Sequence, residues 1–134
     1  MIKFCSLFSG SSGNCIFIGT DRVKILIDAG VSGSRIVDAL RGIDENPEDL
    51  SAIFVTHEHS DHISGAGILS RKYNLPIYAT ERTWNAMARQ LGKILPENKG
   101  ILEAGSGMTL EDIYLQNFSI PHDAADPVAY TFTV

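Results

Sequence analysis

The sequence has no apolar run of membrane-spanning length and only two cysteines among its 134 residues. A spanning helix needs about 20 mostly apolar residues, so no such helix is predicted. The N-terminal stretch MIKFCSLFSGSSGNC lacks the long apolar core and small-residue cleavage site of a secretion signal. Cys5 and Cys15 form no C-x-x-C pair, so we expect reduced thiols, with a structural disulfide as the alternative. These absences together favour a cytoplasmic protein.

Basic residues are absent after Lys99, although five acidic residues follow it. Residues 71–99 show the opposite balance, with six basic and two acidic side chains in a chain of net charge -5. The overall charge argues weakly against broad binding of polyanions. On charge alone the basic segment is better explained as a solvated helix face. The alternative is a patch that positions phosphates, formed by Arg71, Lys72, Arg82, Arg89, Lys93 and Lys99.

Histidine is also scarce, yet three of the four histidines fall within VTHEHSDH, residues 55–62. The segment follows the apolar run SAIF, which is typical of a short buried strand. Side chains alternate across an extended chain, so His57, His59 and Asp61 should point to one side. His62 leaves in another direction and suits a second centre a few ångströms away. The pattern therefore predicts a dinuclear metal site.

The ligand types of this cluster indicate which metal it would hold. Zinc accepts neutral imidazole and carboxylate, whereas magnesium and calcium need mostly oxygen ligands. We therefore expect two divalent ions, zinc first, with manganese or iron as alternatives. Glu58 should point away from the other side chains and not act as a ligand. A surface cluster that senses pH and a closed structural zinc site are the competing interpretations.

The remaining patterns predict an α/β protein with a mixed, partly antiparallel sheet and a single domain over residues 1–134. Helices are expected at residues 34–43, from Ile63 to Tyr73, and around Trp84, Met87 and Leu91, where Ala88 shares the apolar face and Gly92 ends the helix. The expected strands are IKFCSLF, CIFIG and VKILID, as an antiparallel meander, then SAIFVT, LPIYAT, KGILEA, MTLED, IYLQNFSI and VAYTFTV.

The last of these strands alternates Tyr130, Phe132 and Val134 on one face. An open apolar edge is prone to association. We therefore expect more sheet to follow in a longer protein, which makes residues 1–134 a partial domain.

The cluster His57-x-His59-x-Asp61-His62 resembles the metal-binding signature of the metallo-β-lactamase superfamily. ILIDAG, with Asp28, resembles the aspartate at a strand end that supports the metal loop in this family, and SIPHDAADP, with His122, resembles its later histidine motif. With the SGSSGNC turn, these motifs are most similar to the YycJ (WalJ) subfamily of β-lactamase-fold nucleases. The resemblance implies a four-layer αββα sandwich, of which this chain covers the first half.

The resemblance also implies a ligand set. One metal would be bound by His57, His59 and His122, and the second by Asp61 and His62, which would also be the catalytic residues. Asp28 would support the metal loop. The family has in addition a bridging aspartate and a last histidine. Asp123 and Asp126 adjoin the His122 motif and do not follow a separate strand, so the site is about two ligands short.

Two divalent ions can activate water and stabilise charge on an attacked ester. We expect a phosphodiesterase, and the resemblance implies a nuclease similar to DNA exonucleases, with Arg82, Arg89 and Lys93 near the substrate. Ser12 and Asn14, in a turn without the G-x-S-x-G nucleophile elbow, would help to hold an anionic substrate. The alternatives are a thioester, lactone or β-lactam hydrolase, and a non-catalytic metal-binding half-domain that pairs with a second copy.

Overall fold

Two β-sheets and a layer of helices make up residues 2–134, the part of the chain that this computed structural model describes. The first sheet contains six strands, which lie in space in the same order as in the chain. They are β1 (Lys3–Phe8), β2 (Cys15–Gly19), β3 (Lys24–Ile27), β4 (Ala52–Phe54), β5 (Ile77–Ala79) and β6 (Lys99–Ile101). Strands β1 to β3 pair antiparallel, as predicted, and β3 to β6 pair parallel.

The helices connect the parallel strands, because such strands can be joined only by a crossover. They are α1 (Gly33–Gly42), α2 (Ser60–Ile63), α3 (Ala66–Tyr73) and α4 (Glu81–Leu91), with 3-10 turns at Pro47–Asp49 and Pro96–Asn98. One face of the first sheet packs against them. Leu26 and Ile53 of that face share a buried cluster with Leu40 of α1, Leu69 of α3 and Met87 of α4.

The opposite face of the first sheet packs against a second, antiparallel sheet. Its strands are β7 (Gly107–Leu110), β8 (Ile113–Ser119) and β9 (Val128–Thr133). Ile25 and Phe54 of the first sheet meet Ile113 and Leu115 of β8 in a second buried cluster. The layers are therefore helices, sheet and sheet, which confirms the predicted mixed α/β class.

The helix predicted from Ile63 to Tyr73 begins only at Ala66, and a separate short helix, α2, ends at Ile63. In a continuous helix the Gly65 N–H would bond to the Asp61 carbonyl. Instead that carbonyl accepts the Asn14 N–H at 2.8 Å, and Gly65 donates to the Ala29 carbonyl at 2.8 Å. The helix ladder is interrupted because neighbouring loops take its backbone groups, so α3 begins only at Ala66.

Of the other two predicted helices, α1 forms within one residue of its expected limits, and α4 begins at Glu81 and ends at Leu91. The side chain of Ser32 caps α1 by accepting the Arg35 N–H, and that of Thr80 caps α4. Gly92, with φ of 76°, ends α4 as expected. Ala88 does not join the buried face of α4 and is exposed, unlike its neighbour Met87.

The cysteines agree with the prediction from sequence. Cys5 and Cys15 are both free, and burial raises the pKa of the Cys15 thiol above its ordinary value. Among residues 2–134, no helix has the length and apolar character needed to cross a membrane. The Phe4 and Phe132 rings of the two outer strands stack with centroids 6.0 Å apart. These strands, β1 and β9, therefore approach each other at the border between the two sheets.

Candidate metal centre

The rings of all four histidines meet at the end of β4, with the His62 centroid 4.0 Å from that of His57. Ligand nitrogens of His57, His59 and His122 all lie within 4.8 Å of one another. The His122 ring centroid is 4.6 Å from that of His57 and 5.2 Å from that of His59. His57 is buried, His59 half-buried and His122 exposed. Three imidazoles at this spacing suit a zinc-sized ion.

The second sheet brings His122 to this cluster, because the loop at residues 120–127 joins β8 to β9. At the base of the loop, the Val128 N–H donates to the Thr56 carbonyl at 3.0 Å. Nearer its tip, the Ala125 N–H donates to the Glu58 carboxylate at 2.9 Å. The loop is thus hydrogen-bonded to the segment that carries His57 and His59. Glu58 points to this loop, as expected of a residue that is not a ligand.

Asp28 fixes the orientation of His62. It is buried, and its φ of 64° turns the chain sharply after β3. One carboxylate oxygen accepts the Thr56 N–H at 2.8 Å, and the other accepts the Thr56 hydroxyl at 2.8 Å and lies 2.6 Å from His62 Nδ1. A carboxylate on Nδ1 leaves Nε2 of the same ring free for a metal ion. Asp28 therefore lies where the resemblance implies a supporting residue.

Asp61 lies beside His62 and outside the three-histidine group. Its Oδ2 is 3.7 Å from His62 Nε2. Asp61 does not follow the extended chain assumed for it, because α2 begins at Ser60, and it is not part of the group formed by His57, His59 and His122. Asn14 also reaches this point, with Nδ2 3.3 Å from both Asp61 Oδ2 and His62 Nε2.

Close packing holds the loop after β3 against the segment that carries Asp61. A Cβ atom on Gly30 would lie 1.8 Å from the Asp61 carbonyl oxygen, so only glycine fits there. The Gly30 N–H donates to the Asn14 carbonyl, and the Ala29 N–H donates to the His62 carbonyl. The motifs ILIDAG and SGSSGNC therefore contact the same metal loop.

The protonation of two histidines is set by their surroundings. Burial lowers the pKa of His57 to about 4, and the nearby His62, His122 and His59 add to the effect. Burial also lowers the pKa of His62, but the hydrogen bond and charge of Asp28, with the charge of Asp61, outweigh it and raise the pKa overall. At neutral pH His57 is therefore uncharged, as a metal ligand must be.

A largely apolar cavity of about 420 Å³ opens beside Asp28, His57 and His62. It lies between the two sheets. Its other lining residues are Phe4, Ile16, Ile18, Ile27, Thr56, Ile120, Val128, Ala129, Tyr130 and Phe132. The Tyr130 side chain is half-buried, and its hydroxyl donates to the Val55 carbonyl at 2.8 Å.

The predicted substrate contacts divide into two groups. Asn14 lies at the site, whereas Arg82, Arg89 and Lys93 are exposed on or just after α4 and line no part of the cavity beside the histidines. Ser12 is exposed in the turn between β1 and β2. Sequence reasoning did not identify Thr56, whose hydroxyl is 2.9 Å from His57 Nδ1 as well as bonded to Asp28. Its position directly before the first histidine was the available signal.

Comparison with known proteins agrees with this geometry. The family model of the metallo-β-lactamase superfamily matches residues 9–129. The chain belongs to this superfamily. It is 47% identical over 131 residues to an exodeoxyribonuclease YycJ of Bacillus anthracis, covering 98% of this chain and 50% of that protein. It is 48% identical over 132 residues to an exodeoxyribonuclease WalJ of Streptococcus pneumoniae, covering 97% and 49%.

A solved metallo-β-lactamase structure shares the fold. This protein of Cronobacter sakazakii, described by a HARLDQ motif, aligns with a TM-score of 0.82 at 20% identity. The aligned region covers 98% of the present chain and 57% of the Cronobacter chain. The present superfamily member thus spans about half the length of the relatives it matches. The helix layer and two sheets correspond to about half of the metallo-β-lactamase fold, which confirms the predicted fold family.

Proposed function

We propose that this chain is the metal-binding first part of a metal-dependent exonuclease that hydrolyses phosphodiester bonds of DNA. The observation that carries the proposal is the cluster of His57, His59 and His122, with Asp61 and His62 beside it. It occurs in a superfamily member that is 47–48% identical, over nearly all of its length, to two exodeoxyribonucleases.

The donor set fits zinc for the first ion. Three imidazole nitrogens within 4.8 Å of one another match the ligand type and number found in catalytic zinc sites. For a second ion the chain offers Asp61 and His62, which is fewer than such a site needs. Manganese and iron are the alternatives for both positions. Divalent ions at these positions would activate water for attack and offset charge on the ester oxygens.

The protein's own groups prepare the site for this chemistry. His57 presents an uncharged ring, and Asp28 accepts a hydrogen bond from His62 Nδ1 so that Nε2 faces Asp61. The Asn14 amide donates to Asp61 Oδ2 and orients that carboxylate. We assign the catalytic roles to Asp61 and His62, with Asp28 as their support. Asn14, Ser12, Arg82, Arg89 and Lys93 remain the proposed contacts to the DNA.

We further propose that residues 1–134 belong to one longer domain. The chain spans about half of its relatives, and the apolar cavity beside the site is bordered by Phe4, which is 56% exposed. Chain that follows in a longer protein would cover this cavity and supply the missing ligands. Pairing with a second copy is the alternative. The cytoplasmic location stays a prediction.

The first test is the number of metal equivalents per chain, by elemental analysis of purified protein of verified mass. We expect one equivalent of zinc, lost in the variant His59→Ala and kept in Glu48→Ala, whose side chain is exposed away from the histidines. Two equivalents in this chain would mean that another copy completes the second position. Zinc bound equally by the His59→Ala variant would contradict the assignment of the cluster.

The second test compares substrates with the longer protein. We expect it to release nucleotides from the ends of linear DNA, to leave closed circular DNA intact, and to lose this activity in His59→Ala. Hydrolysis of a thioester or lactone without cleavage of DNA would overturn the proposed substrate class and favour the alternative hydrolase.

A further inference from the structure

The loop that carries His122 has few contacts near its tip. The His122 side chain is exposed, and its ring accepts or donates no hydrogen bond to residues 2–134. Within the loop, the Ala124 N–H bonds to the His122 carbonyl, and the Ile120 N–H bonds to the Pro127 carbonyl. These contacts shape the loop, but they do not link it to the segment that carries His57 and His59.

Within residues 2–134, three groups of the loop and its base form hydrogen bonds with the rest of the protein. The Val128 N–H donates to the Thr56 carbonyl at the base of the loop. The Thr83 hydroxyl reaches the Asp126 carbonyl at 3.4 Å, which is a long and weak contact. The third contact is the Ala125 N–H, which lies 2.9 and 3.3 Å from the two Glu58 carboxylate oxygens. This hydrogen bond has a charged acceptor, and such bonds are generally stronger than bonds between neutral groups such as the other two.

The hydrogen bond between Glu58 and Ala125 joins two segments that carry candidate metal ligands. Glu58 lies between His57 and His59 in the sequence, and its carboxylate reaches the Ala125 N–H of the His122 loop. Both sequence neighbours of Glu58 are therefore candidate ligands. Glu58 itself bonds to the backbone of Ala125, three positions after the third candidate ligand, His122. The Glu58 carboxylate therefore joins the segment of His57 and His59 to the His122 loop.

We propose that Glu58 is a positioning residue, which sets the distance of His122 from His57 and His59 through its hydrogen bond to the Ala125 N–H. The inference rests on the metal site proposed above and adds a residue that is not itself a ligand. Partners that orient metal ligands in this way typically change metal affinity by about 10-fold to 100-fold when they are removed. Because this contact is partly exposed to solvent, we expect the lower end of that range.

The first experiment titrates the metal-free 134-residue chain with Co²⁺ and follows the visible absorption bands of the bound ion. Glu58→Ala should weaken binding about tenfold and change the band pattern, since one imidazole is misplaced. Glu58→Gln keeps an oxygen that accepts the same N–H, so its affinity should stay within about threefold of the original. Glu48→Ala removes an equally charged but distant side chain and should change nothing.

The second experiment repeats Glu58→Ala in a His122→Ala background. If Glu58 acts through His122, the added loss of affinity should fall to less than about twofold, because contacting groups are not additive. An equal tenfold loss in both backgrounds would overturn the inference, since it would mean that the Glu58 charge attracts the ion directly. A loss in Glu58→Gln as large as in Glu58→Ala would also contradict it.

The third experiment needs no metal. Exchange of the Ala125 amide hydrogen, measured by NMR in the metal-free chain, should be slowed in the original protein and in Glu58→Gln, and fast in Glu58→Ala. Fast exchange in all three would contradict the hydrogen bond. If the original chain bound no Co²⁺ at all, the proposed metal site would fail together with the inference. Normal binding that ignored Glu58 would overturn the inference alone.

Discussion

The two sides of the candidate centre are built in different ways. On the side of the first sheet, Asp28 is 4% exposed and His57 is 6% exposed, and Thr56 connects them through its hydroxyl. On the side of the second sheet, His122 is exposed on a loop. The side chain of Glu58 provides the hydrogen bond nearest the tip of that loop.

The difference shows which part of the site the core determines. Buried, hydrogen-bonded side chains keep one geometry because any change disturbs close packing. A loop ligand keeps its geometry only through the few contacts along the loop. The His57 side is therefore expected to be formed before a metal ion binds, and the His122 side to adjust when the ion arrives. Substitutions in the two regions should accordingly differ in their effects on stability and on metal binding.

The largest effect is expected in the core behind the site. Phe54, fully buried on β4, packs between Tyr78 and Tyr130, so Phe54→Ala should lower the free energy of unfolding by about 4 kcal/mol. Phe118→Ala is the matched control on the second sheet, because Phe118 is 46% exposed, and its cost should stay below about 1 kcal/mol. Urea denaturation measures both. Similar costs would contradict the contrast between the two regions.

Asp28 should give the next largest effect. Asp28→Ala removes a buried carboxylate and leaves the Thr56 N–H and His62 Nδ1 without their partner, so we expect a loss of about 3 kcal/mol. Asp28→Asn keeps an acceptor and tolerates the positive φ, and it should lose less. Urea denaturation of the metal-free chain gives the values, with the exposed Asp38→Ala as control. An equal loss in both Asp28 variants would show that charge, rather than hydrogen bonding, dominates.

Substitutions of the candidate ligands should affect zinc affinity and the free energy of unfolding differently. His57→Ala and His122→Ala should both weaken zinc binding, as measured by competition with a chelator. In the metal-free chain, however, His57→Ala should cost about 1–2 kcal/mol of stability, because the side chain is buried, and His122→Ala less than about 0.5 kcal/mol. Equal stability losses would mean that the His122 loop is as firmly packed as the metal loop.

The smallest effect is expected far from the histidines, at the basic residues of α4 and the segment after it. Neutralising Arg82, Arg89 or Lys93 in the longer protein should weaken DNA binding severalfold and lower the slope of its salt dependence by about 1 for each DNA phosphate that is no longer neutralised. Binding measured at several salt concentrations tests this. Hydrolysis of an uncharged ester should not change. Unaltered DNA binding would remove these residues from the proposed interface and leave them as a solvated helix face.

Much of the fold could be predicted because its signals are local. The antiparallel meander was visible as three apolar runs separated by turns, and Gly92 marked the end of α4. The break before α3 was not visible. It depends on hydrogen bonds from Asn14 to Asp61 and from Gly65 to Ala29, which join positions far apart in the sequence. Local patterns do not contain such contacts.

The candidate site, like the fold, was predictable only where its signal was local or came from the resemblance. The spacing of His57 and His59 indicated their common direction, and the resemblance supplied His122 and Asp28. The alternation of side chains predicted that Asp61 would join His57 and His59. It does not, because the helix that begins at Ser60 replaces the extended chain assumed there. Thr56 was missed because threonine before a histidine has no special meaning until Asp28 is brought beside it by the pairing of β3 with β4.

The connection between β8 and β9 has a consequence for how such a site can vary. It joins neighbouring strands of a hairpin, whose pairing runs from Tyr114 with Thr133 to Ser119 with Val128. Insertions or deletions within residues 120–127 would leave that register unchanged. The length and sequence of this hairpin loop can therefore change without a change in the pairing of β8 with β9. Protein engineers could vary its length to move or exchange the third donor while the buried scaffold around Asp28 stays the same.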